Sequence, residues 1–214
     1  MVDNNSTQDN SRALLHSLVP QSEYARFAVG EFRKACVLVE AGKLNEAEVV
    51  LTNLDSDQLR QQFYATWEEY DRLNKEALKP LSQYPKVKKV DKRMPSAAVV
   101  REVYERDYWA CRWCGTPIIA DKPIKAMHKL FPATFKKGTT NDSMHGLMLS
   151  SRVSLDHVLP HSFVGTNDIE NLVTSCWPCQ FGRGNDLIER LGLSDPRERE
   201  PIPTDWDGCS TLRF

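Results

Sequence analysis

Residues 154–163 read Ser154-Leu155-Asp156-His157-Val158-Leu159-Pro160-His161-Ser162-Phe163. Farther on, Glu170-Asn171-Leu172-Val173 runs into Cys176-Trp177-Pro178-Cys179, followed by Gln180-Phe181-Gly182-Arg183-Gly184-Asn185. Upstream stands Tyr108-Trp109-Ala110-Cys111-Arg112-Trp113-Cys114-Gly115. Two cysteines separated by two residues can place both sulfurs on one ion, and Gly115 permits the tight turn behind the first pair. Cys111, Cys114, Cys176 and Cys179 together satisfy a closed tetrahedral zinc site with no open position, so the expected role is structural. Two isolated pairs would also be compatible with redox chemistry; here they flank a second motif, which favours zinc.

That second motif, Asp156-His157, combines a hard oxygen donor suited to Mg²⁺ with an imidazole that accepts a proton near neutral pH. Adjacent strand residues point to opposite faces, so the two side chains would flank a strand end rather than compete for one position. Cleaving a phosphodiester needs both functions: a base to activate water and a cation to stabilise charge on phosphate and leaving oxygen.

The order of parts is cysteine pair, Asp-His-x-x-Pro, Asn-Leu-Val, cysteine pair, then a helix start with an arginine. It closely resembles the HNH endonuclease family in its zinc-stapled form, over about residues 96–194. The resemblance implies a two-stranded hairpin followed by a helix, with a metal ion between them. It also implies His157 as general base, Asp156 as ligand of a catalytic Mg²⁺ or Mn²⁺, and Asn171 as the residue fixing the loop after the base. Where relatives carry Asn or His directly after the last cysteine, this chain has Gln180. Its carbonyl oxygen on a longer arm, or Asn185 five residues on, would supply the second ligand; otherwise the site is weakened or inactive. Arg183 stands at a helix start, where its guanidinium and the backbone N–H groups would suit a phosphate.

The segment 116–150 is an insert between the first knuckle and the Asp-His motif. Lys122, Lys125, Lys129, Lys136 and Lys137 fall in a stretch without Asp or Glu, with Phe131 and Phe135 interleaved. Such a segment would track a DNA backbone, or serve as a solvated loop with aromatic anchors. Charge is distributed to match: residues 1–85 carry a net −4, 86–137 a net +8, and 138–214 a net −5. A basic block in a near-neutral chain is the footprint of a polyanion binder. No stretch reads as a single-strand stacking platform, which places RNA behind DNA.

Residues 22–79 read as helices. Tyr24, Phe27, Ala28, Phe32, Ala35 and Val39 recur at helical steps, and Gly42 suits the residue after the helix end. Asn45 with Glu48 looks like a capping box for a second helix, burying Ala47, Val50, Leu51 and Leu54. A third begins near Asp55 and repeats Leu59, Phe63, Trp67, Tyr70, Leu73 and Ala77, a pattern of core packing. Residues 35–51 resemble one tetratricopeptide-type hairpin, too little for a repeat array. Pro80, Pro85 and Pro95 bracket the basic stretch Lys86–Arg93. Pro95 and Ser96 open a helix through about Asp107. Cys36 is expected in a core, His128 and His145 as structural, and Cys209 without a role.

The expected fold is α+β: a flexible N-terminus (1–21), a helical module (22–79), a basic linker (80–95), a zinc-stapled ββα-metal domain (96–194) and a tail (195–214). With 41% hydrophobic and 27% charged residues, and neither a membrane-length apolar run nor a secretory signal, the chain is expected to be globular and cytoplasmic. The expected function is DNA hydrolysis, in a restriction or antiphage setting. An isolated domain would nick and a homodimer would cut both strands, with residues 22–79 facing a protein partner. The competing expectation is a non-catalytic, zinc-stabilised nucleic-acid-binding or partner-assembly protein.

Overall fold

The computed structural model describes residues 15–77, 79–83 and 94–213. The lysine-rich stretch 86–93 lies outside them. Among the described residues, no helix is long and apolar enough to cross a membrane.

Helix α1 (Glu23–Glu40) starts where the Ser22 hydroxyl accepts from the Ala25 N–H at 3.1 Å. Its buried stripe is Ala25, Ala28, Val29, Phe32, Ala35 and Cys36. Phe27, expected on that face, is 57% exposed. Gly42, at φ +73°, turns the chain into α2 (Leu44–Leu54). That turn closes quickly: Lys43 N–H donates to Leu38 O at 2.9 Å, so α2 begins before Asn45 and the expected capping box is not formed. Helix α3 (Asp57–Glu76) is capped by Ser56. Asp55, expected near that start, instead accepts from the Gly146 N–H at 3.0 Å and pairs with Arg60.

Helix α4 (Ala97–Arg106), capped by Ser96, leads into the first cysteine knuckle. The insert folds into α5 (Asp121–Leu130) and α6 (Gly146–Ser151). Strands β1 (Val153–His157) and β2 (Leu172–Cys176) pair antiparallel, with Asp156 opposite Val173 and His157 opposite Leu172. Helix α7 (Trp177–Arg183) follows β2 directly, and the short α8 (Ile188–Leu191) ends at Gly192. The architecture is thus α+β, with N-terminal helices followed by a two-stranded hairpin and its helix.

Among the described residues three cores hold these parts together, the smallest joining Val103 of α4 to Leu155 and Leu172 of the hairpin. The first joins Phe32, Leu51 and Leu59 to Ile119, Met127, Phe135 and Leu147, so the N-terminal helices share one interior with the insert. The second gathers Trp113, Ile118, Val153, Val173, Leu191 and Leu193 around the cysteines. Close approach of α3 and α7 depends on Gly182: a Cβ there would stand 2.8 Å from Thr66 Cβ and 2.9 Å from Leu18 Cδ1. Leu15 forms a parallel bridge to Leu193, while the Trp206 indole donates to Ile118 O at 2.7 Å. Cys209, for which no role was expected, is fully buried in the first core.

Candidate active site

The knuckle after α4 is a compact turn. Cys111 N–H donates to Thr116 O at 2.9 Å and Gly115 N–H to Cys111 O at 2.8 Å. A hydrogen bond from Arg112 N–H to Thr174 O, 2.9 Å, fastens the turn to β2. The buried Asp107 reinforces the join, accepting from Thr174 N–H at 2.7 Å and pairing with Arg106. These contacts bring Cys111 and Cys114 against Cys176 and Cys179, all four sulfurs lying within 4.8 Å of one another.

The donor set fits a zinc ion. A tetrahedron with Zn–S bonds of ~2.3 Å has S···S edges of about 3.8 Å, and Cys114 Sγ to Cys176 Sγ is 3.7 Å. Hydrogen bonding among the thiols, from Cys111 first, holds Cys114 well below the usual thiol range. The same crowding pushes Cys176 and Cys179 well above it. Four sulfurs this close cannot all ionise side by side without a cation between them.

Beside this staple, the end of β1 carries Asp156 and His157. The His157 Nε2 lies 2.9 Å from Asn167 Oδ1. An amide oxygen only accepts, so Nε2 is the donor in this contact. The loop behind it is clamped by Asn171, whose Oδ1 accepts from Leu159 N–H at 2.9 Å. Its amide donates to Leu159 O at 3.1 Å and Thr166 O at 3.0 Å. The loop turns tightly at Gly165, where any Cβ would fall 1.7 Å from Leu159 O. His161, left outside the expected catalytic set, comes back toward the site, its ring centroid 6.0 Å from that of His157.

Asp156 and Arg183 differ from expectation. Arg183, expected at a phosphate, is 2% exposed. Its guanidinium donates to Asp156 Oδ1 (2.7 Å), His157 O (2.7 Å) and Asp186 O (2.7 Å), and it lies over the Trp113 ring. It is a cross-tie from α7 to the end of β1. Asp156, expected as a metal ligand, is buried and also accepts from the Trp113 indole N–H at 3.0 Å. As arranged, these residues do not fit a divalent cation, because Asp156 brings one negative charge and Arg183 cancels it. Any cation at Asp156 would have to take the carboxylate from Arg183. Gln180 is half-buried on the outer edge of α7, and Asn185 is exposed beyond its end.

Lys122, Lys125, Lys129, Lys136 and Lys137 are all exposed. Phe131 and Phe135 are not interleaved with them at the surface but buried in the first core. His145 caps α6, and His128 Nδ1 lies 2.9 Å from Phe135 O.

Two partners escaped the sequence. Asn167 lies in the polar turn Gly165-Thr166-Asn167-Asp168, which signals a loop but not that its amide faces His157. Trp113 stands in the knuckle motif, but nothing in the sequence names Asp156 as the acceptor that its buried indole N–H needs.

A hairpin, a following helix, a four-sulfur staple and a histidine at the strand end define the zinc-stapled ββα class. Residues 146–185 match the model of the HNH endonuclease family. No curated protein and no solved structure gives a significant match.

Proposed function

We propose that this protein is an endonuclease that hydrolyses DNA phosphodiester bonds with His157 as general base. One observation carries the reading: at the end of β1, inside the segment that matches the family, the His157 ring is oriented by Asn167, its Nε2 2.9 Å from Oδ1. Arg183 on its carbonyl and the Asn171 clamp behind it fix the backbone on both sides. A base held in this way takes the proton from water as the oxygen attacks phosphorus in line with the leaving 3′ oxygen; the P–O3′ bond breaks and the departing oxygen takes a proton from solvent, giving 5′-phosphate and 3′-hydroxyl ends. Asn171 and Arg183 serve as positioning residues. The exposed lysines of the insert supply the phosphate contacts expected of Arg183, and each should contribute to a salt-dependent affinity.

HNH nucleases use divalent metals, so the test is supercoiled plasmid with the zinc-loaded protein and Mg²⁺ or Mn²⁺. The expected result is nicking that His157→Ala removes while the fold stays intact. Restriction or antiphage defence is the setting we propose for it. Phage plating on cells producing the chain should show a plaque reduction that His157→Ala loses. The neutralised Asp156–Arg183 pair favours one second reading, a zinc-stabilised nucleic-acid-binding protein without catalysis. Retained DNA binding with no nicking under either metal would establish that reading instead.

A further inference from the structure

Hydrolysis of a phosphodiester needs a base for the attacking water and a group that stabilises the departing 3′ oxygen. Asp156, the expected anchor for a cation there, is taken up by Arg183 at 2.7 Å and by the Trp113 indole. A second imidazole stands close by. The chain has five histidines. His16, His128 and His145 find partners elsewhere in the fold: Ser194 Oγ at 2.8 Å, Phe135 O at 2.9 Å and Leu51 O at 2.9 Å. His161 is the one that returns to His157, its ring centroid 6.0 Å away and its plane at 65° to the other. The turn that carries His161 is tightly built. Phe163 N–H and Gly165 N–H both donate to Pro160 O, at 2.8 Å and 3.1 Å, and Phe163 is buried. Val164 closes the turn at φ +70°, in the left-handed region that a β-branched residue rarely adopts. Such strain persists only where the surroundings enforce it, and it gathers at functional sites. The Asn171 clamp on Leu159 holds the front of the turn, so one device fixes the backbone between the two histidines.

We propose that His161 is the general acid of the reaction, delivering the proton to the 3′ oxygen that leaves. The proposal rests on the nuclease reading and adds a second catalytic residue to it. His157 takes a proton from water as the water oxygen bonds to phosphorus. As the P–O3′ bond breaks, its electron pair goes to O3′, which takes a proton from the His161 imidazolium instead of from solvent. The two histidines end with their protonation states exchanged, and solvent resets both. Histidine changes charge near neutral pH, so one ring of a pair can serve as base while the other is loaded as acid. In-line displacement puts the attacking and leaving oxygens on opposite sides of one phosphorus. Each transferring nitrogen lies about 2.6–3.2 Å from its oxygen. The two rings must then stand several ångströms apart and be turned relative to each other. A separation of 6.0 Å at 65° meets both conditions; stacked rings would meet neither. His161 lies on an irregular turn, where sequence spacing gives a side chain no direction, so its return to His157 left no mark in the motif.

The test varies the leaving atom. Nick sites of the zinc-loaded wild type are mapped on plasmid DNA with Mg²⁺ or Mn²⁺. A duplex carrying one such site is then made twice, with oxygen or with sulfur as the 3′ bridging atom of the cleaved linkage. A thiol, with a pKa of about 8.5 in cysteine, leaves as thiolate without help from an acid. Single-turnover rates at saturating protein separate chemistry from binding. On the oxygen substrate, His161→Ala and His161→Gln should each be slower than wild type by about 10²–10⁴-fold. On the sulfur substrate both should come within a few-fold of wild type, whereas His157→Ala should be slow on both. Thermal melts and zinc content identify a variant that has lost its fold, and His161→Gln keeps a polar side chain if His161→Ala does not fold. Equal losses on the two substrates would overturn the proposal, because a phosphate-binding or purely structural residue does not sense the leaving atom. So would a raised midpoint for activation by Mg²⁺ in the His161 variants, which would make the residue a metal ligand. Unchanged cutting of the oxygen substrate by a folded His161 variant would overturn it too, with the nuclease reading intact as long as His157→Ala stays slow. Wild type that nicks no DNA under either metal would remove the nuclease reading and this proposal together.

Discussion

Asp156 shows how burial decides a residue's role. Its carboxylate and the Arg183 guanidinium are 6% and 2% exposed and 2.7 Å apart. Removing one member of such a pair strands the other charge in the interior, at a cost of about 3–5 kcal/mol. Asp156→Asn should therefore lower stability by an amount of that order, read by denaturant unfolding. A residue that only held a cation would leave the metal-free melt nearly unchanged. His145 gives a pH prediction. Its Nε2–H donates to Leu51 O at 2.9 Å, and its Nδ1 accepts from Leu147 N–H at 3.2 Å. Both nitrogens are used by the neutral ring. Burial lowers its pKa; the hydrogen bond to Leu51 O and then the Asp55 charge act against the shift, and Arg60 acts with it. The unfolded chain, with a histidine pKa near ~6.5, therefore binds the proton first. Stability should be intact above that pH and fall below it, by at most about 1.4 kcal/mol per pH unit. His145→Asn, which keeps a capping oxygen, should flatten that part of the acid limb.

At the scale of elements, β2 and α7 are held by the staple more than by their own length. Each has five to seven residues, too few to be stable alone. Cys176 and Cys179 sit at their junction, and the first knuckle reaches them through Arg112 and Asp107. Chelating zinc, or making Cys179→Ser, should unfold this half and take His157 out of register with Leu172. Loss of near-UV ellipticity together with nicking would show it; a metal-stripped protein with an unchanged melt would argue against a structural ion. The elements near the staple were legible in sequence because each rests on local chemistry: two cysteine turns, a strand ending in Asp-His, Ser96 as a cap. The positions of Phe27, of Trp67 (49% exposed where core packing was expected) and of Arg183 were not. Periodicity says which residues share a helix face, but not which neighbour covers it or which acid turns inward to meet an arginine.

For the whole molecule, the notable feature is the first core. Phe32, Leu51 and Leu59 from the N-terminal helices pack with Ile119, Phe135 and Leu147 from the insert. The sequence suggested a helical module beside a nuclease because the proline-bracketed basic stretch looks like a boundary. Long-range packing of this kind leaves no mark in a single sequence. Deleting residues 22–79 should accordingly produce an aggregating protein rather than an unregulated enzyme; a soluble, zinc-loaded, DNA-cutting remainder would contradict that expectation. The central claim concerns one imidazole, and chemical rescue tests it most directly. Nicking of supercoiled plasmid is measured for wild type and His157→Ala, with and without added imidazole. Loss of a general base should slow the variant by about 10²–10⁴-fold, and imidazole should restore part of the rate in the variant alone. A folded, zinc-loaded His157→Ala that nicks as fast as wild type would contradict the account.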